Sequence, residues 1–563
     1  MQFQRMMLLA ALGLVLVIIW QSWVEFQTER QANPSINGTV ASNATNANLS
    51  EDVPDAPEVA ATQTNDNADV AESVVADASS GRIINVTTDL IHAQIDTQGG
   101  DLIRVELLKH PVSVDTPDEP FVLMRRDDAS QGANVFVAQS GLIGNDREYP
   151  NHNVLFSATQ FEYQLGDETD LDVKLSWTAA DGVAYEKIFT FKRDSYRIEV
   201  DFRIANNSDR PWVGFAYGQL KQTEIVQEGS MGFLGRLPSY NGAAIYTEQE
   251  KYEKIDYDDM REGVLNVTTA EGWVAMLQHY FVAAWLPVGS DNYQLYSGVS
   301  GDVAKPQFRI GYKTTQPVVI PAGGAGVVNA ALFVGPKEQA RLDEQNAKAL
   351  KLTVDYGWLT PIASPLFWLL TKIHGLVQNW GWAIILLTVL VKAIFYPLSA
   401  ASYKSMAKMK RLQPRMATLK ERYIDDKQKF QQEMMKLYKS EKVNPAGGCL
   451  PVLVQIPVFI SLYWVLLESV ELRQADFMFW LNDLSVPDPY FVLPVIMGAS
   501  MIAQYFLNPA PVDPIQKKIM MALPFVFTIF FLWFPAGLVL YWVVNNLLSI
   551  AQQYYISKKY QSP

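Results

Sequence analysis

The stretch Trp382-Ala-Ile-Ile-Leu-Leu-Thr-Val-Leu-Val-Lys-Ala-Ile-Phe-Tyr396 places a lysine, Lys392, inside an otherwise apolar run. A charge at the centre of a membrane helix costs about 3 kcal/mol on insertion scales, so it is rarely found there without a function. No Asp or Glu occurs within the apolar core of any hydrophobic segment of the chain. We therefore expect water or a transiently bound molecule, rather than an internal carboxylate, to neutralise Lys392.

Apolar runs of spanning length occur once at the start of the chain and repeatedly after residue 380. About 20 apolar residues cross the ~30 Å hydrocarbon core of a bilayer. The pattern predicts six spans, at about 6–24, 380–400, 448–467, 491–507, 520–534 and 538–556. The first run could be a cleavable signal peptide. However, it is long, it ends in tryptophans and no small-residue cleavage pattern follows it directly, which favours a retained anchor over residues 1–25.

Basic residues in the connecting loops predict the orientation of these spans. The 403–443 loop carries twelve Lys or Arg against five Asp or Glu, and the chain around 517–518 and 558–559 is also basic. The 471–489 loop carries one Arg against four acids. Cytoplasmic loops are enriched in Lys and Arg, and with six spans all the basic loops fall on one side. We expect both termini, including the 557–563 tail, to be cytoplasmic.

Two different segments follow the first span, and both are predicted to lie outside the cytoplasm. Residues 26–80 are rich in Asn, Ala, Thr, Ser and acids, and no Lys or Arg lies between Arg30 and Arg82. This composition predicts a disordered acidic linker. From residue 81 the apolar period becomes two, as in Tyr196, Ile198, Val200, Phe202 and Ile204. Residues 81–355 are therefore predicted to form a mostly antiparallel β-sandwich domain that ends in a helix.

No catalytic or metal-ligating pattern is recognisable in the predicted β domain, so no enzymatic activity, metal or cofactor is expected. Residues 356–380 carry Leu366, Leu369 and Leu370 on one helix face and Thr371 and Lys372 on the other. This pattern is typical of an amphipathic helix lying in the membrane interface. A helix packed on the β domain remains the alternative.

The predicted spans contain few polar residues, and those near Lys392 are candidates for a wet cavity. Thr388 lies four residues before Lys392, on the same helix face. Gln455 interrupts the third span, and amides recur at Asn545 and Asn546. Isolated amides in membrane helices usually bond a neighbouring helix. Lys392 could alternatively extend its stem towards the cytoplasmic interface, and both interpretations place an opening on the cytoplasmic side.

Residues 402–443 are predicted to form a basic helical hairpin with its turn near residues 424–426. Its dense methionines suit a surface that accepts varied apolar partners, and its charge suits anionic lipid or RNA. A plain basic loop that packs on itself explains the same pattern.

Four motifs of the membrane region resemble one known family. They are Tyr403-Lys-Ser-Met-Ala-Lys-Met-Lys-Arg-Leu-Gln-Pro414, Gln432-Glu-Met-Met-Lys-Leu-Tyr-Lys439, Lys442-Val-Asn-Pro-Ala-Gly-Gly-Cys-Leu-Pro451 and Phe531-Leu-Trp-Phe-Pro-Ala-Gly-Leu-Val-Leu-Tyr541. They closely resemble the YidC family of membrane protein insertases, which is related to the mitochondrial and chloroplast insertases. The resemblance is dense from about residue 361 to residue 556. The anchor, linker and β domain resemble the Gram-negative form of the family by arrangement more than by motif.

The resemblance implies an α-helical polytopic protein of the bacterial inner membrane with a periplasmic β super-sandwich domain. It implies a five-span core, residues 381–556, around a hydrophilic groove open to lipid and cytoplasm and lined by Lys392, Thr388, Gln455 and Trp542. Relatives commonly carry arginine at the position of Lys392; lysine keeps the charge and loses the planar fork of donors. Candidate contacts to the ribosome or another partner are the basic hairpin residues Lys404, Lys408, Lys410, Arg411, Arg415 and Lys427.

The function implied is insertion of nascent membrane proteins, alone or with the Sec translocon and its accessory subunits, in contact with ribosome and lipids but not with specific DNA. We expect the polar flank of a substrate to enter the groove while its apolar part leaves sideways into lipid. The competing hypothesis is an ion- or proton-coupled secondary transporter that uses Lys392. That hypothesis predicts a partner carboxylate and paired repeats, and neither is found in the sequence.

Overall fold

The computed structural model describes residues 52–57, 81–127, 134–225, 240–289, 292–302, 305–345, 349–424, 426–441, 443, 450–508 and 514–561. These residues form two compact units, one ending at Val354 and one beginning at Asp355. We call them the β unit and the helical unit. The predicted anchor, 1–25, lies outside the described residues, and so does the predicted linker, 26–80, apart from residues 52–57.

Twenty strands are described in the β unit. They are β1 (Ile83–Thr87), β2 (Ile91–Asp96), β3 (Asp101–Ser113), β4 (Thr116–Arg126), β5 (Val135–Ile143), β6 (Ser157–Ala158), β7 (Glu162–Gln164), β8 (Asp170–Thr178), β9 (Val183–Lys192), β10 (Arg197–Asn206), β11 (Trp212–Thr223), β12 (Gly242–Thr247), β13 (Lys251–Ile255), β14 (Asn266–Thr269), β15 (Gly272–Leu277), β16 (Phe281–Pro287), β17 (Tyr293–Asp302), β18 (Lys305–Thr314), β19 (Val318–Ile320) and β20 (Ala325–Pro336).

The strands form two sheets. One sheet of eleven strands runs β14-β17-β18-β11-β5-β4-β3-β2-β1-β7, with β19 also paired to β11. The other, of nine strands, runs β13-β12-β15-β16-β20-β10-β9-β8-β6. The pairings are antiparallel except that of β1 with β7. This confirms the predicted large, mostly antiparallel β sandwich.

Strand β10 shows why the sequence pattern identified this unit correctly. Ile198, Val200 and Phe202 are all buried, whereas the intervening Arg197 and Glu199 are partly exposed. Successive side chains of a strand point to opposite faces, so the alternation places one row in the core. The core between the sheets also contains the fully buried Trp212 and Trp285, whereas Trp273 is buried against Tyr246 and Tyr252 of its own sheet.

Ten α-helices are described, two in the β unit and eight in the helical unit. They are α1 (Tyr257–Glu262), α2 (Gln339–Asp343), α3 (Thr360–Val377), α4 (Trp380–Ile394), α5 (Tyr396–Arg422), α6 (Lys427–Ser440), α7 (Leu450–Glu468), α8 (Val492–Leu507), α9 (Pro514–Phe530) and α10 (Ala536–Gln561). The amphipathic segment corresponds to α3, which buries Ala363, Phe367 and Leu370 and exposes Trp368. Its location in the membrane interface stays a prediction.

Helices long and apolar enough to cross a bilayer are fewer than the six predicted spans. Within the described part of the chain, residues 515–533 meet the length and hydropathy required, and α4 with α5 meets them only as a pair bent by 68°. The helical parts of 455–468 and 492–507 are apolar but shorter. The helical character of this region is confirmed, while the count of six spans stays a prediction.

Candidate functional site

A cavity of about 270 Å³ lies among five helices of the helical unit. It is lined by Lys392 of α4, by Ser399, Ser402, Tyr403 and Met406 of α5, by Gln455, Ile456 and Phe459 of α7, by Met501, Gln504 and Asn508 at the end of α8, and by Tyr541, Trp542, Asn545, Asn546 and Ser549 of α10. Many of these residues carry amide or hydroxyl groups, although the surrounding helices are predominantly apolar. The cavity can therefore hold water or a polar guest.

Lys392 is the charged residue of the cavity wall. It lies in the last turn of α4, which ends at Ile394 where the chain bends into α5. Its Nζ donates to Ser549 Oγ at 2.8 Å and lies 3.4 Å from Gln455 Oε1. Both acceptors are neutral, and no carboxylate of the described residues pairs with this lysine. The ammonium group is hydrogen-bonded, but its charge has no fixed counterion there.

Gln455 and Trp542 occupy neighbouring parts of the wall, as the resemblance implies. The Gln455 Nε2 donates to Asn545 Oδ1, so the same amide contacts both Lys392 and α10. The ring of Trp542 packs edge-on against Phe459 with centroids 4.5 Å apart. Among the described residues, the buried Nε1 of Trp542 has no hydrogen-bond acceptor. This side of the cavity thus combines a fixed amide with an indole N–H that is left for water or a guest.

Thr388 lies in a different environment from the other three predicted groove residues. Its side chain is buried, and Oγ1 donates to the carbonyl of Ile384 in its own helix at 2.7 Å. It is not among the residues that line the cavity. The structure brings Lys392, Gln455 and Trp542 together, with Thr388 one turn further along α4.

Ser549 is a contact of Lys392 that the sequence reasoning missed. Its hydroxyl accepts from Lys392 and donates to the carbonyl of Asn545, one turn earlier in α10. The i, i+4 spacing of Asn545 and Ser549 places both on one helix face and could have indicated it.

Other polar residues of α10 join helices, as isolated amides in membrane helices commonly do. The Asn546 Nδ2 donates to Ser500 Oγ of α8 at 3.1 Å, and the Gln553 Nε2 donates to Asn508 Oδ1 at 2.8 Å. These bonds hold α10 against α8, and both helices contribute residues to the cavity wall.

The segment 469–491 packs against the start of α4, the end of this helix that is remote from Lys392. The Asn379 side chain, which caps α4, donates to the carbonyl of Phe477 at 3.2 Å. A Cβ at Gly381 would lie 2.0 Å from the Phe477 ring, so the approach requires glycine. The carboxylate of Asp488 accepts from Trp480 Nε1 and from the backbone N–H of Leu493. Internal bonds therefore cover the end of α4 remote from Lys392.

Helices α5 and α6 form the predicted hairpin, and its apolar side chains pack on each other. The buried cluster consists of Leu412, Met416, Phe430, Met434, Tyr438 and Val443. These methionines face the interior of the hairpin, whereas Met406 lines the cavity and Met435 is exposed.

The candidate contact residues of the hairpin differ in exposure. Lys404 and Arg411 are exposed, Lys408 and Lys410 are half-buried, and Arg415 pairs with Glu441 at 2.6 Å. For Lys427 only the helical backbone is described. The basic face of the hairpin is thus an exposed surface on a self-packed helical pair.

Across the described residues no group of three or more His, Cys, Asp or Glu could hold a metal ion.

Comparison with known proteins matches both units. A family model described as the YidC periplasmic domain matches residues 83–369, and one described as the 60Kd inner membrane protein matches residues 372–563. The membrane protein insertase YidC of Thioalkalivibrio sulfidiphilus is 47% identical over 98% of this chain and 98% of its own. That of Laribacter hongkongensis is 50% identical over 85% of this chain and 87% of its own.

A solved structure of an active YidC insertase with its first transmembrane domain resolved covers 85% of this chain and 95% of its own, with 18% identity and a TM-score of 0.37. The two family models together span nearly the whole chain from residue 83 onward, and the curated relatives match it along almost its full length. The chain belongs to the YidC family of membrane protein insertases.

Proposed function

We propose that this chain inserts nascent hydrophobic segments into the bacterial inner membrane through the cavity around Lys392. The observation that carries the proposal is the ammonium group of Lys392, held only by neutral oxygens on the wall of a 270 Å³ cavity. A buried charge without a fixed counterion favours the approach of an anionic or dipolar guest. The resident fold supplies no such guest among the described residues, so a passing substrate is the natural one.

The proposed step lowers a desolvation cost. A polar or acidic flank crossing hydrocarbon loses its water, which costs several kcal/mol for each unsatisfied polar group. In the cavity, the amides of Gln455 and Asn545 and the ammonium of Lys392 replace part of that hydration. The apolar portion of the substrate then moves sideways into lipid, where its burial is favourable.

The two ends of the helical unit support a direction of entry. Ser402, Tyr403 and Met406 line it and belong to α5, which continues into the basic hairpin. The N-terminal end of α4, remote from Lys392, is covered by segment 469–491, which is held by bonds such as Ala536 N–H to the carbonyl of Val486 at 2.7 Å. We infer that substrates enter from the hairpin side and that this side is cytoplasmic.

We further propose the six-span topology, with both termini in the cytoplasm and the β unit in the periplasm. The excess of basic residues in 403–443 supports this orientation. The groove-lining role of Thr388 also stays a proposal, as an inner limit of the wet region. The basic hairpin, through residues such as Lys404 and Arg411, would contact the ribosome or anionic lipid, and the Sec translocon would act with the chain on larger substrates.

The test uses purified protein in proteoliposomes and two single-span substrates that differ only in an acidic or a neutral flank. Lys392→Ala should slow insertion of the acidic substrate about tenfold, since it removes about one charge-assisted interaction. Lys392→Arg, which keeps the charge, should retain most of the rate, and the neutral substrate should change less than threefold. Full-rate insertion of the acidic substrate by Lys392→Ala would falsify the charge-attraction account.

The same vesicles test the transporter alternative. A proton- or ion-coupled transporter would show solute flux or conductance that depends on Lys392 and would not discriminate between the two flanks. We expect no conductance above that of empty vesicles and a clear difference between the substrates.

A further inference from the structure

A short acidic piece of the predicted linker lies on the 11-stranded sheet. It is Asp52-Val-Pro-Asp-Ala-Pro57, which we call the docked segment, and 23 residues, 58–80, separate it from Gly81. The Asp52 carboxylate contacts Lys221 Nζ and lies 3.5 Å from Arg309 Nη1. The contact is specific to the side chain of Asp52, because two cations of neighbouring strands converge on it.

The backbone of the docked segment is also recognised. The Gln219 Nε2 donates to the carbonyl of Asp52 at 3.1 Å, and Lys313 Nζ donates to the carbonyl of Asp55 at 2.6 Å. These donors lie on the paired strands β11 and β18, two residues apart in register, because Gln219 pairs with Gly311 and Lys313 follows Gly311 by two residues. Two carbonyls three residues apart are thus bound, in a segment that is not helical.

Apolar contacts accompany the polar ones. Val53 and Ala56 pack against a small buried cluster made of Ile143, Phe215 and Tyr217. Residues 54 and 57 are prolines, which restrict the backbone before docking and reduce the entropy lost on binding. The docked segment therefore combines a charge, two carbonyls and two small apolar side chains in six residues.

The receiving face has the electrostatics of a built anion site. Lys221 and Arg309 are directly opposite each other on paired antiparallel strands, and their side chains are only 14% and 20% exposed. Like charges in such a position destabilise a sheet unless an anion lies between them. Asp52 is that anion in this structure.

The floor of the site is held in one orientation by buried hydrogen bonds. The Gln219 Oε1 accepts from Tyr296 at 2.9 Å, and its Nε2 also donates to Gln139, 2.9 Å away. Gln139 in turn donates to Asp101 Oδ2 at 2.7 Å. Because these hydrogen bonds fix the amide of Gln219, the donor that reaches Asp52 is positioned before the segment docks.

We propose that this face of the β unit is an intramolecular docking site for a non-helical, acidic, proline-containing segment, and that Asp52–Pro57 is its occupant. Docking leaves 26 residues, 26–51, between the predicted anchor and the β unit instead of 55 residues, 26–80. The reach of a disordered chain grows with the square root of its length, so for the predicted linker the reach would fall from about 41 Å to about 28 Å. The inference is independent of the proposed insertase function.

The covalent connection of the docked segment to the β unit, through residues 58–80, allows even a weak docking site to be occupied. A connection of this length, of the disordered kind that the sequence predicts, would hold the segment at roughly millimolar effective concentration. A site with a millimolar dissociation constant would then be substantially occupied in the intact chain. Loss of two of its contacts should release the segment.

The experiment is limited digestion of the full chain in detergent with an endoproteinase that cleaves before aspartate. The bonds before Asp52 and Asp55 lie in the docked segment, and those before Asp66 and Asp69 lie in the same linker beyond it. We expect cleavage before Asp52 to be about tenfold slower than before Asp66, since a docked segment must open before it is cut. Equal rates at the four bonds in the unaltered chain would overturn the proposal.

Variants of the receiving face leave every cleavage site in the linker unchanged. Lys221→Gln with Arg309→Gln should raise the rate before Asp52 to that before Asp66. The matched control, Lys192→Gln with Arg203→Gln, removes two cations from partly exposed ion pairs of the nine-stranded sheet and should keep the protection. Cleavage inside strands, for example before Asp201, reports unfolding and separates it from release.

A competing peptide gives a second readout. An acetylated Glu51–Glu58 peptide at about 10 mM carries the same two cleavage sites and competes for the protease at every bond, so the readout is a ratio of rates. This peptide should raise the ratio of cleavage before Asp52 to cleavage before Asp66 in the unaltered chain, while a peptide with Asn for both aspartates should leave the ratio unchanged. Protection that persists in Lys221→Gln with Arg309→Gln, with no cleavage inside strands, would show that another feature holds the segment and would refute the site.

Discussion

The two units each contain a lysine withdrawn from water, and their surroundings differ. Lys187 of β9 is fully buried, and its Nζ donates to the carbonyls of Gly99 at 3.1 Å and Ser140 at 2.9 Å. Burial lowers the pKa of Lys187, and the opposite charge of Asp101 counteracts that shift. Ser140 lies in β5 and Gly99 lies between β2 and β3, all strands of the 11-stranded sheet. Lys187, on β9 of the other sheet, therefore links the two sheets through backbone carbonyls of the folded domain.

The membrane lysine has no such permanent charge partner. Lys392 contacts the neutral oxygens of Ser549 and Gln455 and borders a cavity, whereas rings of Phe156, Phe189 and Phe202 surround Lys187 at 5.3 to 6.0 Å. A buried cation that is enclosed by its own fold stabilises that fold. One that faces a cavity, without a fixed anion, keeps its interaction for a guest. Measurements of stability and of insertion should therefore separate the two lysines.

The largest effect is expected from Lys187→Met. The change leaves two carbonyls without their donor and the buried Asp101 without its nearby positive charge, so the β unit should lose about 3–5 kcal/mol of unfolding free energy. Pulse proteolysis of the full chain in urea, read from fragments of β9 and β10, measures the loss.

A second substitution sharpens this result. Adding Asp101→Asn to Lys187→Met should restore part of the stability, because the uncompensated carboxylate is then removed as well. A loss below about 1 kcal/mol in Lys187→Met alone would show that this lysine is not a fastener and would remove one side of the comparison.

His152 extends the comparison to a titrating group in the same unit. Burial lowers the pKa of His152 to about 4, and its ring Nδ1 lies 2.6 Å from the hydroxyl of Tyr217. A histidine with a lowered pKa contributes stability that is present above its unfolded pKa of about 6.5 and lost as the pH falls through about 4. The whole contribution is about 3.5 kcal/mol, because each pH unit between about 6.5 and about 4 is worth about 1.4 kcal/mol.

The measurement compares the unaltered chain with His152→Gln at pH 7 and at pH 4.5. The urea midpoint of the β unit should fall less between these pH values in His152→Gln than in the unaltered chain. Identical pH dependence in both proteins would mean that His152 does not titrate as a buried neutral group. Insertion at pH 7 should stay unchanged in this variant.

Lys187 shows which structural features could be predicted from the sequence and which could not. The alternation Val183, Tyr185, Lys187, Phe189, Phe191 places a lysine in an inward row, so the burial of Lys187 is predictable from the sequence pattern. Its partners were not predictable. Gly99 and Ser140 lie 88 and 47 residues away along the chain, and only the pairing of sheets brings them to the ammonium group.

The residues of the cavity around Lys392 show the same difference between what local sequence predicts and what only the fold brings together. Lys392 and Gln455 were found from sequence because a charge or an amide stands out in an apolar run. Ser549 did not stand out, since a serine in a membrane helix usually bonds its own backbone, as this one also does. The docked segment was missed for a related reason, because a linker composition says nothing about a receiving face more than 160 residues away.

Lys392→Met tests the other side of the comparison. Among the described residues no carboxylate pairs with Lys392, so the substitution leaves no charge uncompensated. We therefore expect the unfolding free energy of the helical unit to change by less than about 1 kcal/mol. Insertion of the acidic-flank substrate should nevertheless fall as strongly as in Lys392→Ala. Marked unfolding of α4 and α10, measured by hydrogen exchange in detergent, would instead make Lys392 a structural residue like Lys187.

The smallest effect is expected at the neutral partner of Lys392. Ser549→Ala removes the acceptor at 2.8 Å, and an interhelical hydrogen bond of this kind is typically worth about 0.6 kcal/mol, or roughly threefold in rate. The matched control is Ser500→Ala, since Ser500 is also buried, accepts from Asn546 and does not line the cavity. If Ser549 positions the ammonium for a guest, only its loss slows insertion of the acidic substrate, and the neutral substrate is unaffected. Equal slowing by both alanines would mean that packing of α10, rather than the placement of the charge, sets the rate.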